Sequence, residues 1–296
     1  MQIMLAPAML SLDTEFAFRM SGFPDSQQLV YGTQAKYPIF TGAHGLDVNM
    51  DWVLGHLNFF KYHMLQDTEA SLYAAFKHLA PHERPRFWSE KLAQGSGKLG
   101  RRWKGSYAYV DENSAIRKVR AGRGDDEMIV DIFQAEGEVF QDFTLSHSDE
   151  KNMLWYPIFE KILRSRTTPI SRARTRAQKS SASPEGLAAF APQSFCFHGK
   201  GEDKDEDFRA SGWLNALPEQ CGIPGWQRVT MMKYFWLPGG QSIDWQALWA
   251  YEGVVLPGGQ IMLGRWWSPN HEEWEDAYSG PFLLWCVDTP GDAVAE

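Results

Sequence analysis

The sequence predicts a mainly β protein with an α-helical N-terminal layer (α+β), built around an antiparallel, lipocalin-like β-barrel of about 9–10 strands. Two observations support this fold class. Short runs of alternating apolar and polar residues recur late in the chain, separated by turns such as Leu237-Pro238-Gly239-Gly240. Nine of the thirteen tryptophans lie between Phe195 and Val287, and clustered indole rings are typical of a lined cavity or binding face. We therefore expect a barrel that holds a ligand.

The composition narrows the class of protein. The chain has 296 residues, of which 44% are hydrophobic and 22% charged, and its net charge is −8. A negative net charge disfavours nucleic-acid binding, and no apolar run is long enough for a membrane-spanning helix. Cys196, Cys221 and Cys286 show no paired spacing, which disfavours a disulfide framework or a zinc site. We expect a cytoplasmic protein without metal, cofactor, nucleic-acid or membrane partner, and its oligomeric state stays open.

Residues 1–98 are expected to form an irregular and helical layer that covers the barrel. Residues 1–47 are rich in turn formers and predict no regular element. Apolar residues at helical spacing predict helices over about 51–65, 68–80 and 85–95.

Residues 99–296 are expected to form the barrel. Alternation over 102–110 predicts its first strand, and 128–133 and 139–145 continue the pattern before a helix over 154–163. Six further strands are predicted over 195–197, 208–215, 228–236, 248–256, 261–267 and 281–287.

A basic segment interrupts the predicted barrel. Six arginine and lysine residues lie among Ser, Thr and Pro over 164–186, with almost no large apolar side chain. Such a composition cannot bury enough surface to offset the cost of ordering, so it predicts an exposed mobile insertion. A basic docking or localisation arm is the alternative. With the preceding helix, the interruption spans about 150–190.

Several motifs of the last hundred residues occur in a recognisable order. They are Phe197-His198-Gly199-Lys200-Gly201-Glu202-Asp203, then Lys233-Tyr234, Tyr251-Glu252-Gly253 and Gly264-Arg265-Trp266. This order resembles the C-terminal β-barrel of F-box proteins of the cyclin-D-binding kind. Segments 222–228 and 279–282 look like those of filamentous-fungal proteins with the same barrel.

The resemblance implies a barrel, but residues 1–98 contain no F-box, so it does not imply ubiquitin-ligase recruitment. It implies a stand-alone barrel, and barrels of this kind commonly bind small apolar molecules.

Four ionisable or hydroxyl side chains within the tryptophan-rich strands are the candidate catalytic residues: Lys233, Tyr251, Glu252 and Arg265. Alternation places Met231, Lys233 and Phe235 on one face of their strand, and separates Tyr251 from Glu252. One sequence does not give strand register, so two interpretations stay open. The charged residues form an outward ladder of ion pairs, or at least one lies in an aromatic cavity and polarises a ligand.

The candidate substrate-binding residues are aromatic side chains of the predicted strands. They are Trp103, Tyr107, Trp213, Tyr234, Trp249, Trp266 and Trp267. We expect Trp249, Tyr251 and Trp266 to line a cavity.

The aromatic strands and the lack of a cofactor motif favour a small-molecule-binding barrel. We favour a cofactor-independent cyclase or isomerase (pericyclase-like) that folds an apolar fungal secondary metabolite into a reactive conformer. A carrier that stores the same ligand would differ only by lacking turnover. The alternative is a non-enzymatic protein-binding module of the F-box-barrel type, which recognises a partner through the barrel rim.

Overall fold

The structure of the chain is a computed structural model. The residues described are 12, 22–42, 44–68, 70–85, 98–110, 113–121, 129–133, 139–165, 194–203, 206–240, 242–270 and 279–288. The third helix expected over 85–95 and most of the basic insertion lie outside them.

The N-terminal part forms a small layer of helices with one short hairpin. Its elements are α1 (Phe23–Tyr31), β1 (Phe40–Thr41), β2 (Asp47–Val48), α2 (Met50–Leu65) and α3 (Tyr73–His78). Strands β1 and β2 pair with each other in a separate two-stranded sheet. Within the described ranges, no helix is both long enough and apolar enough to cross a membrane.

The rest of the described chain is mostly antiparallel sheet. The elements are β3 (Arg102–Tyr109), α4 (Asn113–Ala121), β4 (Ile132–Phe133), β5 (Gln141–Ser148), a 3-10 turn (Glu150–Asn152), α5 (Pro157–Leu163), β6 (Ser194–Asp203), β7 (Glu206–Ala216), β8 (Gln227–Phe235), β9 (Trp249–Val255), β10 (Ile261–Trp267) and β11 (Ser279–Cys286).

Eight of these strands close into a barrel. The sheet runs in the order β11-β10-β9-β8-β7-β6-β5-β3, and β11 pairs back onto β3. The closing pairs include Phe282 with Tyr107 and Trp285 with Lys104. A ninth strand, β4, adds to the sheet through β3 alone. The expected antiparallel barrel with a helical N-terminal part is confirmed.

Two helices occur where the sequence predicted none. Helix α1 lies in a region expected to be irregular. Its buried residues include the polar Ser26 and Gln27, so its buried face does not show as apolar residues at helical spacing in the sequence. Helix α4 lies where a loop was expected between strands. The strand expected over 128–133 is reduced to β4.

The helices pack on the outer wall of the barrel. Trp52, Leu57 and Phe60 of α2 share one apolar cluster with outward residues of β9, β10 and β11, such as Val254 and Leu283. Polar contacts join the same two layers. The Nε2 atom of His56 lies 2.9 Å from the carbonyl oxygen of Phe282, and Trp285 Nε1 donates to the Glu83 carbonyl at 2.7 Å. The helical layer therefore shares an apolar cluster with the outer face of the barrel wall.

Glycines of β6 let aromatic rings fill the inside of the barrel. An added Cβ at Gly199 would lie 2.3 Å from the ring of Phe143, and one at Gly201 would lie 2.4 Å from the ring of Phe208. The Gly-x-Gly motif therefore lies in a strand, with its missing side chains replaced by rings from neighbouring strands.

Candidate functional site

Six of the predicted site residues share the interior cluster of the barrel or line its cavity. Five are aromatic, and the sixth is the amine of Lys233, which is 3% exposed. Its Nζ lies 4.3 Å from the ring centre of Phe208 and 5.6 Å from that of Tyr107, which are cation–π distances. The interior aromatic residues are Trp103, Tyr107, Trp249, Tyr251 and Trp266.

The cavity beside Lys233 is small. It is lined by Tyr107, Gln141, Phe208, Lys233 and Tyr251, among others, and its volume is about 20 Å³. That volume holds about one water molecule, whereas ligand sites usually span about 300–1,000 Å³. We predicted a ligand cavity from the aromatic side chains of these strands. In the structure, these side chains instead fill this part of the barrel.

Three predicted substrate-binding residues lie outside the barrel wall. Trp213 packs with Trp155, their ring centres 6.2 Å apart. Tyr234 lies 6.1 Å from the ring of Phe159, and Trp267 packs at the edge of the same cluster. The predicted aromatic residues therefore do not meet in one site.

A much larger pocket lies on the outer wall of the barrel, with a volume of about 650 Å³. The end of α1 and the loop after it, α4, α5 and strands β8 to β11 contribute to it. Its apolar lining includes Val30, Ile39, Ile162, Leu163 and Trp267. Its charged lining comes from Arg120, Lys161, Arg164, Arg228, Arg265 and Glu252.

One ion pair fixes a wall of this pocket. Glu252 Oε1 accepts from Arg228 Nε at 2.8 Å and from Arg228 Nη2 at 2.6 Å. Arg228 Nη2 also donates to the carbonyl of Leu163 at 2.8 Å, at the end of α5. The pair therefore ties α5 to the barrel.

Arg265 is the enclosed cation of the pocket. It lies directly across from Glu252 in the β9–β10 ladder. Its Nη atoms donate to neutral acceptors, which are Gln34 Oε1 at 2.6 Å and the carbonyls of Leu29 and Tyr37. Its buried Nε has no hydrogen-bond partner among the described residues.

The electrostatic surroundings of Arg265 destabilise its charged form. The pKa of Arg265 is lowered to about 9: burial is the largest cause, the charge of Glu252 raises the pKa, and the charge of Arg120 lowers it. Glu252 accepts two hydrogen bonds from Arg228 and acts on Arg265 through its charge. An additional negative charge in the pocket would stabilise Arg265.

The other cations approach the pocket from the helices. Arg120 of α4 donates through Nε to the carbonyl of Tyr31 at 2.9 Å and through Nη2 to Ser279 Oγ at 3.4 Å. Lys161 and Arg164, at the end of α5, are exposed at its edge. Among the described lining residues, Glu252 is the one carboxylate.

Of the four candidate catalytic residues, the structure therefore brings Glu252 and Arg265 together at the outer pocket. Lys233 and Tyr251 lie on the inner side of the barrel wall. Sequence reasoning missed Arg120, Lys161 and Arg228. These come from three separate elements, and no local spacing relates them. The one signal in the sequence was the alternation that separates Glu252 from the aromatic face of its strand.

Within the described ranges, no group of three or more His, Cys, Asp or Glu side chains could hold a metal ion. Comparison with known protein families, curated proteins and solved structures gave no significant match for this chain.

Proposed function

We propose that this protein binds a small organic molecule in the pocket on the outer wall of the barrel. The observation that carries the proposal is an enclosure of about 650 Å³ with apolar walls and several cations around one carboxylate. Its volume lies within the range of small-molecule sites, and its lining suits an apolar body with a negatively charged group.

A catalytic role as a cofactor-independent cyclase or isomerase, acting on an apolar fungal secondary metabolite, remains part of this proposal. Its support is Arg265, a cation in a low-dielectric site that can stabilise negative charge developing on a carbonyl oxygen. The walls formed by Ile39, Ile162 and Trp267 would hold one folded conformer of the substrate.

Native mass spectrometry after exposure to a metabolite extract of the source organism tests the proposal. We expect a retained small molecule in the wild type and in Tyr251→Phe, whose side chain lies inside the barrel. Retention should fall in Lys161→Glu, which reverses one charge at the pocket edge. Equal retention by wild type and Lys161→Glu, or none by any form, would contradict the pocket. A mass shift of the released molecule would show turnover.

A protein-binding role, as implied by the resemblance to F-box-protein barrels, is the second proposal. One observation favours it: Trp236, Leu237 and Trp245, around the β8–β9 connection, are 38%, 43% and 45% exposed. Exposed aromatic residues of this kind often mark interaction surfaces. A pull-down with the Leu237→Ser, Trp245→Ser double variant tests it, and unchanged capture of a partner would count against it.

A further inference from the structure

Two side chains of the outer pocket are each held at one end by an arginine. Gln34 Oε1 accepts from Arg265 Nη1 at 2.6 Å. Glu252 Oε1 accepts from Arg228 Nε at 2.8 Å and from Arg228 Nη2 at 2.6 Å. Because arginine has donors and no acceptor, it holds an amide or a carboxylate by an oxygen. The arginines therefore fix which terminal atom of each side chain is left for a ligand.

The atoms left over are an amide nitrogen and a carboxylate oxygen, and both residues line the pocket. Within the part of the chain that the structure describes, Gln34 Nε2 and Glu252 Oε2 make no hydrogen bond. Neither atom is closed off from solvent. An amide nitrogen only donates and an ionised carboxylate only accepts. The pocket therefore presents one donor and one acceptor whose identities are fixed.

The donor and the acceptor both lie beside Arg265. Gln34 is hydrogen-bonded to Arg265, and Glu252 is its direct partner in the β9–β10 ladder, a position where Cβ atoms are about 5 Å apart. Ile39 and Ile162 supply apolar surface in the same lining. A matching ligand has an acceptor and a donor close together at the end of an apolar body. A simple carboxylate supplies only the acceptor.

From these observations we infer that the pocket takes an apolar acid with a hydrogen-bond donor, an N–H or O–H group, next to its carboxylate. The carboxylate accepts from Gln34 Nε2, and the neighbouring group donates to Glu252 Oε2. This inference rests on the proposed small-molecule function and names its ligand class.

The test is isothermal titration of the full-length protein with two probes that differ in one group. N-(1-naphthyl)glycine has an N–H next to its acetate unit, and (1-naphthyloxy)acetate has an ether oxygen at the same place. The two have the same charge at neutral pH and nearly the same shape. We expect the N–H probe to bind at least about tenfold more tightly, because the ether oxygen would face an acceptor and leave Glu252 Oε2 unpaired.

Glu252→Gln exchanges the acceptor for a donor. Arg228 still holds Oε1 of the new amide, so Nε2 faces the ligand. We expect the preference for the N–H probe to fall to less than about twofold and the ether probe to bind more tightly. Glu206→Gln, at an exposed position of β7 away from the pocket lining, removes the same charge and should keep the preference.

Gln34→Met removes the donor without removing the acceptor on Glu252. Both probes should then bind about fivefold more weakly, because their carboxylates lose a partner, while the ratio of their affinities stays the same.

The outcomes separate the inference from the proposed function. If the ether probe binds the wild type as tightly as the N–H probe, if the preference persists in Glu252→Gln, or if Gln34→Met binds both probes as the wild type does, the inference is wrong while small-molecule binding stands. If neither probe binds, the inference fails, and the proposed function fails with it when native mass spectrometry also retains nothing.

Discussion

At the scale of single residues, the structure depends on charged and polar groups at the boundary between the helices and the barrel wall. His56 is fully buried and bonded to the carbonyl of Phe282. Arg228 and Glu252 form a pair that is only partly exposed. A buried group such as His56 stabilises the fold in one protonation state and destabilises it in the other, which makes its role measurable.

His56 makes the stability of the protein dependent on pH. Burial lowers the pKa of His56 from 6.5 to about 3, while its bond to the Phe282 carbonyl opposes the shift. The unfolded chain therefore binds the proton first, and stability is lost as the pH falls from 6.5 towards 3. From the shift, the loss at pH 5 is about 2 kcal/mol.

Chemical denaturation at pH 7 and pH 5 measures the contribution of His56. In His56→Gln, whose amide can still donate to the carbonyl, the difference between the two pH values should shrink by about 2 kcal/mol. The same pH dependence in the variant and the wild type would show that another group is responsible.

Removing Glu252 should have opposite effects on folding and on ligand binding. Glu252→Gln removes the carboxylate that pairs with Arg228 and should lower the free energy of unfolding by about 2 kcal/mol, less than for a fully buried pair. The same change should tighten the binding of a small aromatic anion such as 1-naphthoate, because the pocket becomes more positive. Glu206→Gln, at an exposed position of β7, is the control for net charge and should change neither quantity.

Denaturation and titration of the two variants, side by side, provide the readout. Weaker 1-naphthoate binding by Glu252→Gln in a folded protein would contradict the proposed electrostatics of the pocket.

At the scale of elements, alternation along the strands gave correct faces. It placed Lys233 with Met231 and Phe235, and all three line or pack around the barrel interior. The period of two comes from the strand itself, so one sequence is enough to read it. Which face points inward depends on pairing with distant strands, so the two interpretations of Lys233, Glu252 and Arg265 could not be separated.

The site was less predictable than the fold. Lys233 lies inside the barrel, while Glu252 and Arg265 lie at the outer pocket, so the three residues divide between the two faces of the wall. The rings were expected to line a ligand cavity. The volume of the cavity inside the barrel, however, depends on how Phe143 and Phe208 fill the space beside Gly199 and Gly201. This filling is a property of tertiary packing.

The packing of β6 against its neighbours gives a prediction for the barrel. Gly199→Ala would bring a Cβ to 2.3 Å from the Phe143 ring, and such overpacking should cost about 1–3 kcal/mol of unfolding free energy. Phe143→Leu in the same chain should restore part of the loss, because it removes the ring that clashes. Urea denaturation of the single and double variants measures this. Additive losses would contradict the contact.

At the scale of the whole molecule, the helical layer and the barrel share one apolar core. Trp52 and Phe60 of the layer belong to the same cluster as Leu263 and Trp285 of the barrel. Arg265 adds hydrogen bonds from β10 to Gln34 and the Leu29 carbonyl. The sequence analysis divided the chain near residue 98 into a cover layer and a barrel. In the structure, these two parts stabilise each other.

Unfolding of the full chain should be a single cooperative transition. Helical circular dichroism and tryptophan fluorescence should change at the same urea concentration, because neither part keeps its buried surface without the other. Two separated transitions would show that residues 1–98 fold as an independent domain.

The proposed ligand site lies on the outer wall of the barrel. A crystal structure of the full-length protein with a small aromatic anion such as 1-naphthoate is the direct measurement of its place. We expect density for the carboxylate beside Arg265, with the ring system against Ile39 and Ile162. Ligand density inside the barrel beside Lys233, with the outer pocket empty, would contradict it.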